Sequence, residues 1–160
     1  MPNTVPNTTT KEILDAKESN SKNRSYVDYG FHFGGSKLDN SEEIRKVRDR
    51  VASTKIFLNM STGDMLVEEE KVLENLFKES KIISVHAEEE MVDKAIDLAR
   101  KFRKPLYLCH LSKKSEVEKL RAAKRGIKNI WRSSSTSLIF RFKYGKLVTY
   151  NEARAKKQRG

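Results

Sequence analysis

The chain has 160 residues, 37% of them hydrophobic and 34% charged, with one cysteine and a formal net charge of +11. One domain is expected at this length; the lone cysteine excludes an internal disulfide framework and fits a reducing cytoplasm, and no apolar run approaches the roughly 18 residues that cross a bilayer. The charge points to nucleic acid only until its distribution is read: residues 132–160 hold eight Lys/Arg against one Glu, so seven of the eleven excess charges lie there and the body is close to ordinary.

The opening MPNTVPNTTTKEI has no basic or apolar region of the kind found in a secretory signal. TTTKEILDAKESNSK (8–22) reads as a helix capped by a threonine. SYVDYGFHFGG (25–35) is rich in aromatic and β-branched residues and ends in Gly-Gly, which predicts a strand. NSEEIRKVRDRVA (40–52) starts with Asn, Ser and two acids, a helix start signal. STKIFLN (53–59) is a short apolar strand. In 67–80, Val67, Val72, Leu73, Leu76 and Phe77 fall near one helical stripe. KIISVHAE (81–88) predicts a third strand, and 89–103 a helix with Met91, Val92, Ala95, Ile96, Leu98, Ala99 and Phe102 as its apolar residues. PLYLCHLS (105–112) is a fourth strand, 114–126 a helix stopped at Gly126, and IKNIW (127–131) begins a fifth strand.

Strands alternating with helices of this length imply right-handed βαβ units and a parallel sheet. Such sheets place function at the carboxyl ends of their strands. The polar residues there are Lys55, His86 and His110, with Asn3 a fourth if the chain opens at a strand end. His86 and His110 lie 24 residues apart, one βα unit, so their imidazoles project from adjacent strands into one mouth. Imidazole is the commonest metal ligand, but spacing alone favours hydrogen-bonded strand-end histidines. Lys55 has two readings: an edge lysine whose stem snorkels to water, or a buried amine held neutral. A neutral amine takes up carbon dioxide to form a carbamate, whose two oxygens can bridge a pair of metals. His32, between two phenylalanines, reads as core or as support for the site. Strand alternation sends Cys109 to the face opposite His110, as a packed apolar residue.

Together these stretches resemble the dihydroorotases, zinc enzymes of the amidohydrolase superfamily built on a (β/α)8 barrel, from Met1 to about Trp131. MPNT with its Thr-rich continuation looks like the end of the family's second strand, DYGFHFG the third and TKIFLNMSTGDM the fourth. SVHAEEE looks like the fifth and CHLSKKSEVE the sixth. The resemblance implies that Lys55 is a carboxylated lysine bridging two zinc ions, that His86 and His110 are ligands to one of them, and that Asn3 holds substrate. The implied reaction is the reversible cyclisation of N-carbamoyl-L-aspartate to dihydroorotate in pyrimidine biosynthesis, with zinc polarising the amide carbonyl.

The expected fold class is therefore α/β: a partial TIM (β/α)8 barrel, about strands 2 to 7, over residues 1–131, then an atypical basic tail over 132–160. A complete barrel needs about 250 residues. The His-x-His pair of the family's first strand and the arginine after it have no match here. No catalytic residue is identifiable, because Asp97 is the last aspartate and the family's eighth-strand aspartate has no counterpart. The chain on its own is thus expected to be truncated and inactive. With suitable codons, Ser135 to Phe140 shifted by one nucleotide reads Pro-His-His-Leu-Phe, the family's seventh-strand motif. This makes out-of-frame translation from about residue 132 an expectation, which resequencing the gene across that region checks. The rival readings are a non-catalytic barrel scaffold or partner subunit, with an oligomer covering the open edges, and nucleic-acid binding through the tail, which has charge alone behind it.

Overall fold

The computed structural model describes residues 4–22, 24–61, 64–126, 129–134, 141–143 and 146–148. Five helices alternate with five strands: α1 (Lys11–Lys22), β1 (His32–Gly34), α2 (Ser41–Val47), β2 (Ser53–Phe57), α3 (Glu70–Glu79), β3 (Ile83–His86), α4 (Glu90–Lys101), β4 (Leu106–Leu111), α5 (Lys114–Ala123) and β5 (Ile130–Ser134). The strands form one parallel sheet in the order β1-β2-β3-β4-β5. Every strand lies beside its sequence neighbour, so the sheet winds one way, as a (β/α) barrel does, and never reverses as a doubly wound sheet does. β6 (Arg141–Lys143) and β7 (Lys146–Val148) form a separate antiparallel pair. Residues 135–140, on which the out-of-frame expectation rests, lie outside the described residues. No helix among the described residues is long and apolar enough to cross a membrane.

Alternation along the strands divides the sheet into two chemically different faces. Phe33, Ile56, Ile83, Val85, Leu106, Leu108 and Ile130 are fully buried in one core with the helices. α3 adds Val72, Leu73, Leu76 and Phe77, and α4 adds Val92, Ala95, Ile96, Leu98 and Ala99, each set spaced along one helical stripe. The acids and bases of α4 sort by end, with Glu90 and Asp93 in its first turn and Arg100 and Lys101 in its last, which complements the helix dipole. Gly35 lets β1 approach this layer closely: a Cβ there would stand 3.0 Å from both Ile56 Cγ1 and Leu76 Cδ1. The opposite face carries His32, Ser53, Lys55, Phe57, Ser84 and His86, which touch one another across the strands as described below.

Two elements differ from the expectation. The strand expected over 25–35 shrinks to His32–Gly34, and Tyr26 and Val27 are exposed. β2 begins only at Ser53, paired with His32, so the residues upstream have no strand to pair with. The helix expected from residue 67 starts at Glu70, because the Val67 N–H donates to the Phe57 carbonyl and holds that stretch extended beside β2.

Candidate functional site

The interior-facing side chains form a continuous polar line across three strands. His32 Nδ1 lies 2.7 Å from Ser53 Oγ, which lies 2.6 Å from Ser84 Oγ. Lys55 follows two residues after Ser53 and pairs in register with Ser84. It is 3% exposed and sits in the second of five strands, which excludes the snorkelling edge lysine. Its Nζ has no hydrogen-bond partner and stands 4.8 Å above the centre of the Phe57 ring. Burial pushes its pKa below that of an ordinary lysine, opposed only by the nearby Cys109 thiol.

Phe57 leads on to the histidines. Its ring centre is 5.9 Å from that of His86, which is 4.8 Å from that of His110. His86 Nδ1 and His110 Nε2 approach to 3.4 Å. His86 is buried and its Nε2 has no hydrogen-bond partner; the Glu88 carboxylate is 3.7 Å away. Burial lowers the pKa of both imidazoles, and the Lys55 charge lowers both further, with His110 adding to the effect on His86. Both shifts favour the neutral imidazole, the form in which a ring nitrogen can ligate a metal.

His110 reaches this position through a backbone irregularity that alternation did not foresee. β4 advances three residues, Leu108 to Leu111, while β5 advances two, Arg132 to Ser134. The extra residue is a bulge, and His110 takes φ 37°. The bulge turns the His110 ring inward to His86. Cys109 keeps the parity of Tyr107 and Lys55 and lies beside the amine, so the expectation that it packs on the opposite face is wrong. It is half-buried.

His86 and His110 thus meet at the carboxyl ends of β3 and β4, and Lys55 lies on the same face from midway along β2, in register with Ser84 rather than at the strand end expected for it. Asn3 lies outside the described residues. Among the described residues no three His, Cys, Asp or Glu side chains are placed to hold a metal by themselves. Two neutral imidazoles and an orphaned buried amine are nevertheless a donor set that zinc accepts, once the amine carries a carbamate. Ser53 and Ser84 were not singled out from the sequence. The signal was there in SxK (53–55) and SxH (84–86): a serine two residues before each site residue shares its face.

His32 gives a pH prediction. Burial is the main cause that holds its pKa below that of a free histidine, and the Lys55 charge adds to it. Between that lowered value and about 6.5 the unfolded chain binds more protons, so stability rises with pH across the window and falls as the pH drops through it. His86 and His110 act in the same sense. The urea midpoint is expected to fall between pH 7 and pH 5, and His32→Gln to flatten part of that slope. An unchanged slope in the variant would show that His32 titrates alike in both states.

No family model matches the chain. It is 30% identical over 155 residues to a dihydroorotase of Methanosphaera stadtmanae, a match that covers 78% of this chain and 36% of that protein. The chain therefore spans about a third of the length of the curated dihydroorotases it matches. In fold it is similar to the L-hydantoinase (dihydropyrimidinase) of Arthrobacter aurescens, with a TM-score of 0.73, 23% identity and coverage of 86% of this chain and 39% of that one. It is also similar to the inactive dihydroorotase-like domain of a CAD-like multifunctional protein of Chaetomium thermophilum, with a TM-score of 0.68, 19% identity and coverage of 80% and 38%.

Proposed function

From a chain that is dihydroorotase-like over about three quarters of its length, we propose that the inner face of this sheet is the middle of a zinc amidohydrolase site acting on a cyclic amide. The observation that carries the reading is the convergence of Lys55, His86 and His110, with two orphaned buried polar atoms among them. His86 and His110 would hold one zinc ion, and Lys55, as a carbamate, would bridge it to a second. The amine nitrogen forms the bond to the carbon of carbon dioxide, a C=O pair moves to oxygen, and the N–H proton leaves to solvent. Burial prepares Lys55 for this by favouring the neutral nucleophile, and the Phe57 ring keeps one side of it dry. Bound zinc would supply Lewis-acid polarisation of the amide carbonyl. Asn3 would contact the substrate. The substrate pair is N-carbamoyl-L-aspartate and dihydroorotate, in pyrimidine biosynthesis in the cytoplasm.

The isolated 160-residue chain is expected to give no measurable cyclisation of N-carbamoyl-L-aspartate. The second zinc's histidine pair and the general-base aspartate have no counterparts among its residues, and Asp97 is its last aspartate. Turnover above a no-protein control would overturn that expectation. A non-catalytic role is the second reading, favoured by that missing aspartate; one protein of similar fold is itself described as inactive.

A further inference from the structure

The loops that follow the three site-bearing strands are tied together by two side chains outside the proposed metal set. Asn59, two residues past β2, accepts the Glu88 N–H through Oδ1 at 2.8 Å. Glu116, in the first turn of α5, is 1% exposed. Its Oε1 accepts the Glu89 N–H at 3.1 Å, and its Oε2 accepts the N–H groups of Ser112 and Lys113 at 3.1 and 3.0 Å. An acid in the first turn ordinarily reaches back only to its own helix start. The bond to Glu89 is additional, and it joins the loop after His86 to the loop after His110. Two non-glycine residues at positive φ flank these bonds: Glu89 at 50°, itself a donor to Glu116, and His110 at 37°, two residues before Ser112. Such conformations persist where the surroundings over-determine them. From outside, Lys113 pairs with the Glu89 carboxylate, and Lys119 donates to the Glu89 carbonyl at 2.9 Å.

We propose that Glu116 is a positioning residue for the His86–His110 pair: its buried carboxylate locks the β3–α4 loop to the β4–α5 loop and holds the two imidazoles side by side. The inference deepens the metal-site reading and rests on it for the purpose of the pair, although the juxtaposition itself needs no metal. Removing the carboxylate leaves three N–H groups without their acceptor and frees both positive-φ residues. The loops then separate and the imidazoles diverge, while the apolar core on the other face of the sheet stays formed.

The test uses the full, metal-free 160-residue chain, isotope-labelled, and reads the nuclear Overhauser cross-peak between the His86 and His110 rings, whose centres lie 4.8 Å apart. Zinc affinity, measured by chelator competition, is the second readout. Glu116→Ala is expected to lose the cross-peak while keeping the dispersed methyl signals of the core, and to weaken zinc binding by about 10–100-fold. Glu116→Gln, which keeps one acceptor oxygen, should fall between, and it is the variant read if Glu116→Ala does not fold. Glu118→Ala, at an exposed acid on the same helix, should match wild type. A cross-peak of undiminished strength in the Glu116 variant that is read, or its absence from wild type, overturns the proposal. Wild type that binds no zinc but shows the cross-peak, lost in Glu116→Ala, would refute the metal reading and leave the positioning role standing.

Discussion

Replacing Lys55 by methionine is expected to stabilise the fold and to abolish zinc binding. The amine is buried in the second strand of the sheet with no hydrogen-bond partner. Burying an unpaired polar group costs about 1–3 kcal/mol, and methionine fills similar volume without that cost. The Phe57 ring beneath the amine, a contact worth about 0.5–2 kcal/mol, and the Cys109 thiol beside it offset part of this cost, and the expected result takes the remainder to be positive. Lys55→Met should therefore unfold at higher urea than wild type with an unchanged denaturant slope. A lysine that destabilises the chain it sits in calls for a functional reason, and the carbamate proposed above would supply one. A variant less stable than wild type would mean that the amine is held by a favourable interaction and would remove the argument.

The largest loss of stability is expected at Phe77. Its ring is fully buried where α3 meets the outer face of the sheet. Phenylalanine-to-alanine changes in a core cost about 3–5 kcal/mol through lost transfer energy and the cavity left behind. Small domains have only about 5–15 kcal/mol in all. Phe77→Ala should thus lower the urea midpoint severely or abolish the cooperative transition. Ile82→Ala, at a position 38% exposed, should change it little. A Phe77→Ala midpoint close to wild type would show that the outer face is not the layer that holds the strands, and with them the site, in place.

How much of this was legible in the sequence differs by element. The stripe Val72, Leu73, Leu76, Phe77 announced α3, and its residues are buried as a set, because helical period and burial are read from the same four positions. The sheet order followed from the strand–helix alternation. His86 and His110 were legible as polar residues at strand ends, whereas Lys55, read the same way, lies midway along β2. Their meeting was not fully legible, because it depends on the bulge at His110, and nothing in YLCHLS marks an extra residue in the ladder. Strict alternation accordingly put Cys109 on the wrong face. β1 was read too long because Tyr26 and Val27 have strand-forming side chains, whereas a strand forms only where a neighbour offers a partner. Glu116 looked like an ordinary first-turn acid; its bond to Glu89, 27 residues away, is a tertiary contact that no local pattern encodes.

The central claim is that Lys55, His86 and His110 act as one metal-holding set, and zinc bound per chain tests it most directly. Equilibrium dialysis at neutral pH with bicarbonate present would compare wild type with Lys55→Met, His86→Ala and His110→Ala. Bound zinc in wild type, with each single variant weakened by more than about 10-fold, is the predicted result. Wild type that binds no zinc, or variants that bind it as tightly as wild type, would contradict the account.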